Sequence, residues 1–132
     1  MSSSQEDCIF CNKTKCKIIS KFKFFFVIRD TAYPVTKHHT LIITNRHIDD
    51  FFELTKNEMS ELDKILKKQK EELTRLDKRI SGFNIGVNIG RNAGKSINHC
   101  HIHLIPRRKG DVKDPRGGVR GVIPSKQKYD RR

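Results

Sequence analysis

Between residues 99 and 105 the chain reads His99-Cys100-His101-Ile102-His103-Leu104-Ile105, in which imidazole and non-ionic side chains alternate without a break from His99 to Leu104. Successive side chains of a strand point to opposite faces. Read as a strand, the segment therefore sends all three imidazoles to one side and turns Cys100, Ile102 and Leu104 toward a core. Same-face neighbours lie roughly 6.5 to 7 Å apart at Cα, close enough for adjacent rings to share one small ligand or one phosphate. Whatever fold this chain adopts must contain a sheet with one buried face and a row of imidazoles on the other.

The remaining segments supply partners for that strand. The β-prone run Phe22 to Ile28 reads as a strand ending at Arg29-Asp30, Tyr33-Pro34-Val35 as a loop, and His39 to Ile43 as a second short strand. Thr55-x-x-Glu58 is a capping box, and in the helix it opens Met59, Leu62, Leu66, Leu73, Leu76 and Ile80 keep a 3-4 rhythm on one face, broken only by Gln69. Phe83 to Ile89 reads as a strand, Gly90 to Gly94 as a glycine-bounded turn, and Asn98 to Ile105 as the last strand, ended by Pro106. Strands before and after one long helix predict an α+β domain, an antiparallel sheet covered on one face by that helix. A length of 132 residues suits a single domain over 1–132, with a core over 1–110 and an extension over 111–132.

Charge narrows the partners. The formal net charge is +13, which concentrates anions around the molecule and favours phosphate-rich ligands such as nucleotides or nucleic acid. Much of the excess sits beyond Pro106, where a solvated face is an equal explanation, since Tyr129 is the only aromatic residue there. The longest apolar run, Phe24 to Ile28, is far too short to span a membrane, and the polar start lacks the apolar stretch of a signal peptide. A cytoplasmic protein is expected, with its four cysteines kept as thiols.

Three uses suit a rack of imidazoles. Two histidines spaced H-x-H on a strand can ligate zinc. A neutral ring held through one nitrogen can present the other to an electrophilic phosphorus as a nucleophile. The rings could also merely fill a polar face, although solvated histidines seldom cluster at perfect alternation.

The same seven residues resemble the histidine triad (HIT) motif, His-φ-His-φ-His-φ-φ with φ apolar. The resemblance extends over nearly the whole chain, through Cys8-Ile9-Phe10-Cys11, His39 to Ile48, Gly94-Lys95-Ser96 and Pro106-Arg107 in the expected order, and Asp114 to Arg120 is similar to C-terminal extensions of bacterial-type members. It implies a sheet of about five strands with one long helix, and a homodimer whose two sheets join into one. It further implies a hydrolase or nucleotidyl transferase acting on a purine nucleoside phosphate derivative, a phosphoramidate or a dinucleoside polyphosphate. His101 would attack the α-phosphorus to form a nucleotidyl-histidine intermediate, with His99 and His103 flanking it. Asn88 and Ser96 would contact phosphate or leaving group beside Gly94 and Lys95, and Asp30 would hold the ribose hydroxyls. Read without the resemblance, Asp30 is a turn residue and Ser96 a loop filler. Lys95 stands where many members carry Gln, a departure that bears on the leaving group.

Cys8-x-x-Cys11 is half of a tetrahedral zinc site; taken alone it could also be a redox pair, but no thioredoxin-like βαβ pattern surrounds it. The resemblance implies its completion by His47 and His99 as a structural zinc site. Cys16 and Cys100 have no matching partner. A nucleotide- or nucleic-acid-binding zinc protein with a vestigial triad is the competing reading, and the presence of all three histidines argues against it.

Overall fold

The computed structural model describes residues 8–130, so the polar first seven residues, on which the expectation of a leaderless start rests, lie outside the described residues. Five strands form one antiparallel sheet: β1 (Ile18–Lys21), β2 (Phe25–Arg29), β3 (Thr40–Thr44), β4 (Ile80–Gly86) and β5 (His101–Arg108), in spatial order β1-β2-β3-β5-β4. A single long helix, α1 (Lys56–Leu76), crosses between β3 and β4. The sheet and helix match the expected α+β class.

Alternation decides what each face buries. Phe25 and Val27 of β2, Ile42 of β3, and Cys100 and Ile102 in and before β5 pack with Leu62 and Ile65 of α1. Phe26, Leu41 and Ile43 face the other way, under Cys8 and Phe10 of the N-terminal segment. Both faces of the central strands are therefore covered, one by the helix and the other by the cysteine-bearing segment. At the far end Leu73, Ile80 and Leu104 close a third cluster.

The helix opens as its sequence predicts. Thr55 Oγ1 accepts from the Glu58 amide and the Glu58 carboxylate accepts from the Thr55 amide. Glu58 is fully buried, and Arg46 clasps it with two bonds of 2.8 and 3.0 Å. This pair ties the residue beside His47 to the first turn of α1. The core-facing stripe is Leu62, Ile65, Gln69 and Leu73, so Met59 and Leu76 are exposed and Ile80 belongs to β4, not to the helix. Gln69, the break in the apolar rhythm, is buried because its Oε1 accepts from Arg29 Nη1 at 2.7 Å. A buried amide needs such a partner, and Arg29, also bonded to Thr40, supplies it from the end of β2.

Three boundaries differ from expectation. The basic stretch before Phe22 contains β1, whose Lys21 pairs with Phe26 across a short turn. Its alternation of half-buried and exposed residues is that of an edge strand, too weakly apolar to stand out. The fourth strand starts earlier and stops earlier than Phe83 to Ile89, at Ile80 and Gly86. The last strand runs through Pro106 to Arg108, and its regular pairing begins at His101 rather than Asn98. Pro106 is tolerated because its carbonyl points off the ladder to accept from Thr36 Oγ1 at 2.8 Å. Its missing N–H lies on that same side, beyond the end of β3, where no strand would use it.

Candidate functional site

β5 delivers His101 and His103 to the face opposite α1, and the turn leading into it places His99 next to them. The His101 and His103 rings stand 5.2 Å apart, and Phe10 packs edge-on against His101 at 5.1 Å and His99 at 5.9 Å. The expected row is thus present, with His99 entering it from just outside the ladder.

Carbonyl groups assign the tautomers, since they can only accept. His101 Nδ1 lies 2.7 Å from the His99 carbonyl, so Nδ1 carries the proton and Nε2 the lone pair. His99 Nε2 lies 2.7 Å from the Thr44 carbonyl, which places its proton on Nε2 and its lone pair on Nδ1. His101 is buried and its pKa is lowered, chiefly by that burial. A neutral imidazole, the form able to attack, is therefore the resting state at neutral pH.

A fourth histidine joins the row. The Val35 amide donates to His39 Nδ1 at 3.1 Å, leaving the proton on His39 Nε2, which donates to His103 Nδ1 at 2.9 Å. His103 is thereby fixed with its own proton on Nε2, and burial followed by the neighbouring His101 and His39 pushes its pKa down to about 4. His39, buried and itself shifted downward by burial, was not among the site residues expected from the sequence. The signal that would find it is parity. Leu41 pairs with His103, so His39, two residues earlier, shares its face.

The other expected residues fall around this row. Asp30 directly follows β2, accepts from the Tyr33 amide at 3.0 Å, and places a carboxylate oxygen 3.7 Å from His39 Nδ1. It lines a recess of about 510 Å3 with Phe10, Ile28, Tyr33, Leu41 and Ile97. Asp30 and Lys95 both act on His101 electrostatically, in opposite directions. Lys95 follows Gly94, whose φ of 97° turns the loop before β5, and Ser96 is exposed beside it. Asn88 is exposed two residues beyond Gly86, the partner of His103, and lines a second recess toward the C-terminal segment. Among the described residues, neither Asn88 nor Ser96 hydrogen-bonds to a histidine of the row.

On the far side of His99 the four expected zinc ligands converge. The donor atoms of Cys8, Cys11, His47 and His99 all lie within 4.8 Å of one another. His99 Nδ1 stands 3.2 Å from Cys8 Sγ, 3.5 Å from Cys11 Sγ and 3.3 Å from His47 Nδ1, and Cys11 Sγ lies 3.0 Å from His47 Nδ1. A tetrahedron with zinc–nitrogen and zinc–sulfur bonds of ordinary length has edges of about 3.3 Å between nitrogens and about 3.6 Å between nitrogen and sulfur. The donor set fits that figure, and the Thr44 carbonyl already directs the His99 lone pair into it. Cys100, by contrast, is buried among core residues, which pushes its thiol up to about 11.

Comparison with known proteins agrees with this geometry. The HIT domain model matches residues 12–110. An uncharacterized HIT-like protein of Methanocaldococcus jannaschii is 35% identical over 108 residues, 79% of this chain and 81% of that protein. AP-4-A phosphorylase of Mycobacterium tuberculosis is 30% identical over 99 residues, 72% of this chain but 48% of its own length, so the chain spans about half of that relative. Among solved structures, a zinc-bound histidine triad family protein from Mycobacterium smegmatis superposes with a TM-score of 0.74 at 25% identity, covering 84% of this chain and 82% of that one. Motif, fold and family model coincide over three quarters of the sequence, and the chain belongs to the HIT domain family.

Proposed function

We propose that the protein is a nucleotide hydrolase or nucleotidyl transferase that cleaves at the α-phosphate of a nucleoside phosphate derivative, with His101 as nucleophile. The observation that carries this reading is the bond from His101 Nδ1–H to the His99 carbonyl. As Nε2 attacks phosphorus, the N–P bond forms, the bond from phosphorus to the leaving group breaks, and positive charge develops on the ring. The carbonyl stabilises that charge through the Nδ1 proton. A polyphosphate leaving group departs as an anion and an amine takes a proton from solvent. Water then attacks the phosphorus, the N–P bond breaks toward Nε2, and the water's proton passes to solvent, or an acceptor other than water takes the nucleotidyl group.

The surrounding residues fit roles in that sequence. His103 holds a proton on Nε2 and can donate it as a hydrogen bond to a phosphoryl oxygen. The recess lined by Asp30 would take the nucleoside, Asp30 accepting from the ribose hydroxyls and Phe10, Ile28 and Leu41 supplying apolar walls for a purine. Asn88, Lys95 and Ser96, with the turn at Gly94, border the phosphate on the remaining side.

Cys8, Cys11, His47 and His99 would hold zinc as a closed four-ligand centre, its chemistry structural because no coordination position is left for water. Burial and the facing Cys8 push the Cys11 thiol up to about 11, a direction that a bound divalent cation reverses. A homodimer joined through the β4 edge is part of the same reading.

Incubation with adenosine 5′-phosphoramidate and with diadenosine polyphosphates, followed by release of AMP, tests the activity. Turnover of either class is expected. Failure on both, with salt-sensitive binding to oligonucleotides instead, would favour a binding protein.

A further inference from the structure

From Cys8 to Phe24 the chain carries five lysines and no carboxylate. Along β1 and the hairpin that follows it, exposed Lys17, Lys21 and Lys23 alternate with half-buried Ile18, Ser20 and Phe22. β1 is an edge of the sheet, and lysines on an edge strand keep it from pairing with another sheet. That need ends with the ladder. Lys13 and Lys15 nevertheless stand in the turns before β1, where no edge has to be guarded.

Most of these charges are left for a ligand. Lys13 is engaged, its Nζ donating to Asn45 Oδ1 at 3.1 Å and lying 5.0 Å over the Phe26 ring. Lys23 lies 5.3 Å over the Phe24 ring, which steadies its stem and leaves its ammonium in water. Among the described residues, the side chains of Lys15, Lys17 and Lys21 have no carboxylate partner. Glu61, the acid that reaches the hairpin, is occupied with the Phe24 amide at 2.6 Å. Lys15, Lys17, Lys21 and Lys23 thus form a row of cations along the sheet edge. The row starts at the recess that contains Asp30, because Lys15 and Lys17 line that recess together with Tyr33, which is 88% exposed.

We propose that this edge is a binding surface for single-stranded nucleic acid, whose phosphates follow Lys15, Lys17, Lys21 and Lys23 while a base stacks on Tyr33. The surface needs none of the histidines and is independent of nucleotidyl transfer. A one-dimensional row of cations fits a linear polyanion. A bilayer would find only Ile19 exposed among the β1 lysines, too little apolar area to anchor in lipid. An acidic peptide is linear as well, but it brings no planar group to the exposed Tyr33 ring. A cationic track beside an aromatic platform is the pattern of sequence-tolerant single-strand sites.

The test titrates the full chain with a fluorescent oligoadenylate of about 12 nucleotides, within the roughly 4–16 that such sites cover, lacking terminal phosphates. Affinity should fall with salt at a log–log slope of about −3, the value for about four phosphates on a single strand. Lys21→Gln with Lys23→Gln should weaken binding at least about tenfold at low salt and bring the slope to about −1.5. Tyr33→Ala should weaken it about fivefold or more and leave the slope unchanged. Lys70→Gln with Lys78→Gln takes the same charge from exposed positions on α1 and the turn after it, and should change neither quantity. Nucleotide turnover does not enter this measurement, so its failure and that of the catalytic reading are separate results. Equal losses in the two double variants would overturn the surface, since net charge alone would then attract the strand. So would a wild type that fails to bind at low salt, or polyglutamate of matched charge displacing the strand as well as unlabelled oligoadenylate does.

Discussion

Backbone groups decide what each imidazole of the row can do. The Thr44 carbonyl turns the His99 lone pair toward the cysteines, the His99 carbonyl turns that of His101 away from itself, and the Val35 amide fixes His103 through His39. His39 is thus a positioning residue for His103. His39→Phe should lower kcat by roughly 10- to 100-fold because it frees the tautomer and orientation of His103, with a smaller rise in KM because His39 Nδ1 also stands 3.7 Å from Asp30. His39→Gln, which keeps a donor, should recover part of the loss; equal kcat in wild type and His39→Phe would contradict the role. The depressed pKa of His103 also gives stability a pH dependence. Its ordinary value is 6.5 and its folded value about 4, so between these limits the unfolded chain binds the proton and the folded one does not. The contribution is complete above pH 6.5 and is lost as pH falls toward 4. Melting temperatures taken across that window should fall less steeply in His103→Asn than in wild type, and parallel curves would show that His103 is not the group concerned.

At the scale of elements, the extension offers a direct check on packing. Gly117→Ala drives a methyl group into the Gln127 carbonyl in a conformation that L side chains rarely adopt. Trypsin should cut at Arg116 and Arg120 faster than in wild type while the core melts within a few degrees of it; unchanged cleavage would mean that the extension is not packed this way in solution. The contrast between elements explains what could be read in advance. α1 was legible from Thr55 and Glu58 because a capping box and a 3-4 rhythm are local patterns. β2 and β3 were legible as short β-prone apolar runs, and β5 from its period-two alternation. β1 was not, since its Ile18 and Ser20 alternate too weakly, and Pro106 was misjudged because only the pairing partner shows which side of a strand needs an N–H. His39 escaped for the same reason, its place in the row depending on the register between β3 and β5. The burial of Gln69 depended on Arg29, forty residues away in sequence.

For the molecule as a whole, two centres share His99, whose ring reaches the cysteines while its carbonyl holds His101. On the proposed reading, fold and catalysis are therefore coupled but separable. Metal analysis should find about one zinc per chain, and Cys8→Ser with Cys11→Ser should lose it and lower the melting temperature, since metal-binding energy is folding energy. A double variant as stable as wild type, or wild-type protein prepared without chelators that carries no zinc, would remove the metal from the account. The central claim is narrower, that His101 becomes covalently nucleotidylated. Its most direct measurement is to denature the protein during incubation with substrate and weigh its peptides. The account predicts a mass gain of one AMP moiety on the peptide containing His101, absent from His101→Ala, whose turnover should drop by about 10^3-fold or more. Undiminished turnover in a folded His101→Ala protein, or the added mass on a peptide lacking His101, would contradict it.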